Sequence, residues 1–248
     1  MTEKRIALVA DIHGNRWALE AVIEDIGRRS VQAIFNLGDS LYGPLDPQGT
    51  YQILAGLGAL SVLGNEDRII LADPGRHHAS PTLEFTLRSL SGDATSWLAA
   101  QRPIETVGGR IRMFHGTPRS DGEYLLRQVL GGTTVPRQEA EVALLAGAGP
   151  EEVILCAHDH TPGVMRLGDG RLVVDPGSVG LQAYRDDLPE DHSIGSGDPR
   201  ASYAVVEKAV DGWAVDLVRV EYDHESAALA AEKNGREDWA SWLRSGSA

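Results

Sequence analysis

The sequence predicts an α/β fold in which helices enclose two sheets, and three observations carry that prediction. The first 64 residues alternate short apolar runs with amphipathic stretches. The second half consists largely of short apolar runs joined by turns such as Gly168-Asp169-Gly170 and Asp211-Gly212. Polar groups of a few recurring types, Asp, Asn and His, follow one apolar run after another. Strand–helix alternation argues for parallel pairing, whereas tight turns between apolar runs argue for antiparallel hairpins. In open sheets of the first kind, ligands gather beyond the carboxyl ends of the strands.

In chain order, a strand is expected near 5–10, where Ile6 to Ala10 is uninterrupted and apolar. A helix follows from Asn15 to about Arg29, with Trp17, Leu19, Val22, Ile23 and Ile26 apolar. Strands at 31–37 and 59–63 flank a helix near 47–56 and complete a βαβαβ pattern, with a short helix at 66–72 behind it. Residues 73–101 break the rhythm with Asp73-Pro74-Gly75, His77-His78 and Ser91-Gly92-Asp93, and read as a small helical cap insertion with helices around 81–90 and 93–100. Strands resume near 104–107 and 110–114, and a loop and a helix cover 116–146. Further strands fall near 152–156, 163–167, 171–175, 201–207 and 213–221. Leu181 to Arg200 is polar and Gly/Pro-punctuated and reads as a mobile loop, and Asp223 to Leu243 as an Ala-rich helix.

At 248 residues and 42% hydrophobic, the chain can bury one substantial core, so a single domain over 1–248 is expected. Five apolar residues before Asp11 are too few for a secretory signal, and no run approaches the roughly 18 of a membrane helix. The only cysteine, Cys156, excludes an intramolecular disulfide and fits a reducing cytoplasm; its neighbours Ile154 and Leu155 make it a buried structural thiol. Formal net charge is −13, from 36 acidic and 23 basic residues with no dense Lys/Arg cluster. Broad binding to a nucleic-acid backbone is thereby disfavoured, because that affinity depends on basic side chains displacing counterions. A small phosphorylated substrate remains compatible if cations concentrate at its site.

Five polar islands carry the chemistry: Asp11-Ile12-His13, Gly38-Asp39, Gly64-Asn65, His115-Gly116 and His158-Asp159-His160. The first three follow the runs at 6–10, 33–37 and 59–63, and the last two follow Ile111 to Phe114 and Val153 to Ala157. Each island alone has an ordinary structural explanation: an Asp-His helix cap ahead of Asn15, a Gly-Asp turn, an Asn cap, a satisfied core histidine. Five such accidents at five strand ends, all in ligand-competent residue types, make a poor explanation together. Two imidazoles one residue apart, as in His158 and His160, can enter the coordination spheres of adjacent metals.

In order and content these islands resemble the motifs of the calcineurin-like metallophosphoesterase superfamily, Asp-x-His, Gly-Asp, Gly-Asn-His, His and Gly-His-x-His, over residues 5 to about 180. The Asp11-Ile12-His13-Gly14-Asn15 run is most similar to the small prokaryotic branch typified by YfcE-like and archaeal phosphodiesterases. The resemblance implies a four-layer α/β/β/α sandwich of two mixed sheets. It implies two divalent or trivalent transition-metal ions, with Mn, Fe, Zn, Ni and Co all suited to mixed N and O donors. One ion would be held by Asp11, His13, Asp39 and His160, the other by Asp39, Asn65, His115 and His158, with Asp39 bridging. Asp175-Pro176-Gly177-Ser178 resembles the family's closing loop near the metals.

Two departures stand out: Glu66 takes the place of the imidazole in Gly-Asn-His, and Ala157 replaces a glycine before His158. The implied activity is hydrolysis of a small phosphate ester, a nucleotide among the candidates, by a water shared between the cations. Without that imidazole, substrates that leave unaided are favoured, which points to a phosphodiesterase. Asn15, Arg16 and Glu66 are the candidate substrate contacts beside the metals, and Glu66 is expected to be exposed and ionised there. A phosphomonoesterase, of nucleotides or proteins, and a non-catalytic metal-binding scaffold remain the alternatives. His77 and His78 stand in the cap within possible reach of substrate, and His192 and His224 fall outside every motif.

Overall fold

A computed structural model describes residues 5–72 and 80–248. The first sheet is built around β1 (Ile6–Val9), which pairs in parallel with β2 (Ala33–Asn36), itself parallel to the short β3 (Leu60–Ser61). On its other side β1 runs antiparallel to β13 (Ala201–Ala209), which forms a long hairpin with β14 (Gly212–Val220) through Asp211-Gly212. The sheet order is therefore β14-β13-β1-β2-β3. The second sheet has the order β4-β5-β8-β10-β9, from β4 (Ile104–Val107), β5 (Ile111–Phe114), β8 (Val153–Leu155), β10 (Leu172–Asp175) and β9 (Gly163–Arg166). Both sheets mix parallel and antiparallel pairs.

Period-two alternation shows how the layers stack. Along β1, Ile6 and Leu8 face the second sheet, where they meet Met113, Leu155 and Val174, while Ala7 and Val9 face the helices. Along β8, Val153 and Leu155 join the same inter-sheet core, while Ile154 and Cys156 turn to the other side. There they are covered by α6 (Glu139–Ala146). The opposite outer layer begins with α1 (Arg16–Gly27) and α2 (Pro47–Leu57). Helices thus cover both outer faces of two packed sheets, a four-layer α/β/β/α sandwich.

In the segment read as a cap, α4 (Pro81–Ser89) and α5 (Gly92–Ala99) pack on α2 and on α3 (Asn65–Leu71), and bury Leu83, Ala94 and Leu98 in the core shared with α1. Asp73-Pro74-Gly75 and His77-His78 lie outside the described residues, as do Met1 to Lys4. Three local expectations are corrected. Residues 116–146 hold a hairpin, β6 (Arg127–Leu130) with β7 (Thr133–Pro136), turned at Gly131-Gly132. Its strands are only partly buried, so they lack the alternation by which strands announce themselves. The presumed loop 181–200 contains a second small hairpin, β11 (Tyr184–Asp186) with β12 (His192–Ile194). The C-terminal helix is two helices, α7 (His224–Lys233) and α8 (Glu237–Ser245), separated where Gly235 takes a left-handed φ of 76°.

Candidate metal centre

β1 and β2 end side by side, and the loops that follow are laced by backbone bonds. Asp11 N–H donates to Gly38 O at 3.0 Å, and Ile12 and His13 N–H both donate to Asp39 O at 2.9 and 3.0 Å. The buried carboxylate of Asp67 accepts Ser40 and Leu41 N–H at 3.0 and 3.3 Å and so holds the far side of the second loop. Ser178, in the Asp175-Pro176-Gly177-Ser178 turn, donates its hydroxyl to Asp11 O at 2.8 Å. Gly64 lets α3 approach: a Cβ there would stand 2.1 Å from Asp39 Oδ1, which instead accepts Glu66 N–H at 2.9 Å.

Backbone strain concentrates in these loops. Among the described residues, Asp11, His13, Asp39, His158 and His160 have positive φ, between 50° and 81°, and Ser30 is the one other non-glycine residue that does. Such conformations cost of order 1–3 kcal/mol each and cluster where the surrounding structure enforces them for function.

Three imidazoles are fixed in the same way. Nδ1–H of His13, His115 and His160 points at the backbone carbonyls of Tyr42, Leu37 and Leu181, at 3.1, 2.8 and 2.5 Å. That leaves each Nε2 lone pair turned inward, the orientation that metal-ligating histidines show. His13 Nε2 and His160 Nε2 stand 3.1 Å apart, and two lone pairs at that separation need a proton or a cation between them. Asp11 Oδ1 lies 3.4 Å from His160 Nε2, and Asp39 Oδ2 lies 3.2 Å from His115 Nε2. Among the described residues, Asn65 Oδ1 is buried without a hydrogen-bond partner, and Asp11 Oδ1 and His115 Nε2 have none besides the ion-pair contacts just given. Unpartnered buried donors and acceptors are rare and call for an explanation such as a bound ion.

Donor atoms of Asp11, His13 and His160 fall within 4.8 Å of one another, as do those of Asp39, His115 and His158. His13, Asp39 and Glu66 form a third such group. The donor set fits two cations with mixed nitrogen and oxygen ligation. Its electrostatics agree. Burial opposes ionisation of Asp39, yet His115 and then His13 hold its carboxyl well below the usual range. Burial likewise pulls His115 down, but Asp39 and Asp11 outweigh it and lift the imidazole to about 10. His158 drops to about 4 through burial and the neighbouring His115, and is therefore a neutral ligand at pH 7.

Two candidate substrate contacts have partners elsewhere in the fold. Asn15 is fully buried: its Oδ1 caps α1 by accepting Ala18 N–H at 3.1 Å, and its Nδ2 donates to Gly180 O at 2.8 Å. Arg16 pairs with Asp46 at 3.1 Å and does not line the cavity in front of the metal residues. Glu66 does line it, but it is not an exposed carboxylate. It is half-buried against His13, 3.1 Å from Nδ1, and burial raises it to about 7 against the pull of that imidazole.

The cavity has a volume of about 290 Å³, and its walls include Tyr42, Tyr184, Arg185, Arg236, Trp239 and Trp242. None of these was singled out in the sequence. Trp239 and Trp242 belong to α8, which reaches the centre only through the tertiary fold. Tyr184 packs its ring on His160 at 4.4 Å and donates its hydroxyl to His158 O at 3.1 Å. His192 is also buried, against Tyr124. Cys156 is buried with its thiol pushed up by burial, far from nucleophilic behaviour.

The profile of the calcineurin-like phosphoesterase superfamily domain matches residues 5–228. Methanocaldococcus jannaschii protein MJ0912 is 27% identical over 96% of both chains. The crystal structure of a metallophosphoesterase from Sphaerobacter thermophilus superposes with a TM-score of 0.76 at 25% identity, covering 98% of this chain and 99% of that one. PH1004 from Pyrococcus horikoshii OT3 superposes with a TM-score of 0.74 at 19% identity over 98% of each chain, a likeness of fold.

Proposed function

The chain belongs to the calcineurin-like phosphoesterase superfamily, and from that premise we propose that it is a phosphodiesterase working with two transition-metal ions. The observation that carries this reading is the pair of donor triads, Asp11-His13-His160 and Asp39-His115-His158, in contact through buried atoms that otherwise lack partners. In this reading Asp11, His13, Asp39 and His160 hold one ion, and Asp39, Asn65, His115 and His158 the other, with Asp39 shared. When bound, two such ions lower the pKa of a shared water and neutralise charge on the phosphoryl oxygens. The chain's own residues orient and select. Backbone carbonyls aim the imidazoles, and Ser178 and Asp67 fix the loops that carry Asp11 and Asp39.

Specificity comes from the cavity walls. Arg185 is exposed at the mouth and, among the described residues, its side chain has no ion-pair or hydrogen-bond partner, so its guanidinium is available to an anionic group. Trp242 is half-buried beside Trp239, with ring centroids 6.3 Å apart, and offers a face for a planar ring. Both features support a small ester with an aromatic portion, a nucleotide among the candidates. Glu66 supports the diester preference: a carboxylate in the wall repels a dianionic monoester more than a monoanionic diester. The phosphomonoesterase reading keeps one argument, since a carboxyl lifted to about 7 can hold a proton for a leaving group. Hydrolysis of bis(4-nitrophenyl) phosphate against 4-nitrophenyl phosphate, in protein loaded with Mn²⁺, separates these. A higher kcat/KM for the diester is expected; a monoester preference reverses the assignment, and no hydrolysis of either favours a scaffold.

A further inference from the structure

A buried hydrogen-bond chain runs from His192 to the backbone of the His158-Asp159-His160 loop. His192 Nδ1 faces Glu190 O at 2.8 Å, and its Nε2 faces the Tyr124 hydroxyl at 2.9 Å. Tyr124 and Tyr184 hydroxyls are 2.6 Å apart, and Tyr184 reaches His158 O at 3.1 Å. The chain thus has four gaps, each needing one proton. Each phenol supplies one, because burial raises both tyrosines and keeps them protonated. A neutral His192 supplies one more and leaves a gap unfilled. An imidazolium supplies two, and then every link is made, from Glu190 O to His158 O.

We infer that His192 is a positioning residue that holds the backbone at His158 through Tyr124 and Tyr184, and does so fully only while it carries its second proton. In the neutral tautomer that keeps Nδ1–H on Glu190 O, His158 O is the link left to fail. The short Tyr124–Tyr184 contact and the His192 acceptor compete for the two phenolic protons. The carbonyl lies in a loop whose histidines sit at φ of 81° and 54°, conformations that need outside support. Asp159 and Asp11 act on Tyr124, the partner of His192, from the metal side. Asp186 pairs with His192 across the hairpin, Glu190 turns its carboxylate to Gly132 N at 3.0 Å, and Asp191 is an exposed neighbour. Strand β7, packed on β12, brings no titratable side chain. The consequence for catalysis rests on the phosphodiesterase reading; the chain itself does not.

The test is amide hydrogen exchange in the metal-free, full-length protein at Ala157, His158 and Thr161, followed between about pH 5.5 and pH 8. His192→Phe is the comparison. It removes two gaps along with the imidazole, so the two phenolic protons then satisfy the two that remain at any pH. Dividing wild-type rates by variant rates cancels the intrinsic pH dependence of exchange. The ratio should be near one at the acid end and rise about fivefold toward the alkaline end, the size of one neutral hydrogen bond. Against a Tyr184→Phe background the same ratio should stay flat. If His192→Phe does not fold, His192→Gln, a permanent donor to Tyr124, should give the same result. A flat ratio with Tyr184 present overturns the inference. No substrate enters the experiment, so a failure to hydrolyse any ester would count against the phosphodiesterase reading alone.

Discussion

Asp39 is where the donor groups meet, since its carboxylate touches His115 and belongs to a set with His13 and Glu66. Replacing it should therefore weaken both ions together. Asp39→Ala is expected to fold, to bind neither ion stoichiometrically by elemental analysis, and to lose activity. His158→Ala and His160→Ala should each lose mainly one ion, because their donors fall in different triads. Retention of two ions by Asp39→Ala would end the bridging assignment. At Glu66, exchange for histidine removes a charge from the cavity wall and adds an acid. Glu66→His should raise monoesterase relative to diesterase kcat/KM, by about tenfold to a thousandfold for poor leaving groups. An unchanged ratio would show that the carboxyl does not bear on substrate. The six residues of the two candidate triads were legible as residue types at the ends of apolar runs. The partners that decide a side chain's task were not. Asn15 is spent on α1 and on Gly180 O, and Arg16 on Asp46, because of where the fold brings 46 and 180.

At the scale of elements, the loops after β1 and β2 leave little room for substitution. Gly38 has a φ of 99°, and a Cβ there would stand 2.6 Å from Gly64 N. Gly38→Ala should cost at least about 1–3 kcal/mol in chemical denaturation, from backbone strain alone, and also displace Asp39 from its ligands. Asn15→Ala separates stability from chemistry. It removes the cap of α1 and should lower stability by about 1 kcal/mol while metal stoichiometry stays at wild type. A selective loss of metal in that variant would return Asn15 to the site. The βαβαβ start was readable from periodicity, since β1 buries its whole apolar run and α1 and α2 each bury one apolar face. The β6–β7 and β11–β12 hairpins were not, because their strands are short and half-exposed. Yet β11 supplies Tyr184 and Arg185, so the unreadable elements form part of the cavity.

For the molecule as a whole, the sandwich brings separated strand ends to one place, and the centre's charge balance follows from that burial. In the metal-free chain the buried carboxylates outweigh burial and lift His115 to about 10, and Glu66 lifts His13 to about 9. At pH 7 both hold protons that incoming cations must displace. Metal affinity should therefore rise with pH through neutrality, by up to about tenfold per unit for each proton released, measurable by calorimetry in buffers of different ionisation enthalpy. The linked stability has a definite sign. His115 is raised above its unfolded value of 6.5, so its contribution to the metal-free fold is complete below that pH and lost as pH rises through about 10. The melting difference between metal-free wild type and His115→Gln should shrink from pH 7 to pH 10. Two sheets between helices could be inferred from element order, whereas the walls given by α8 could not, because nothing local in Trp239 or Trp242 says which layer they close. The most direct measurement is a Mn²⁺ titration of chelator-treated protein, with bis(4-nitrophenyl) phosphate hydrolysis and bound metal followed together. Activity should be absent in the stripped chain and complete only as the second ion per chain binds. Full turnover without metal, or an inert protein carrying two bound ions, would contradict the assignment of this centre as a dinuclear phosphodiesterase.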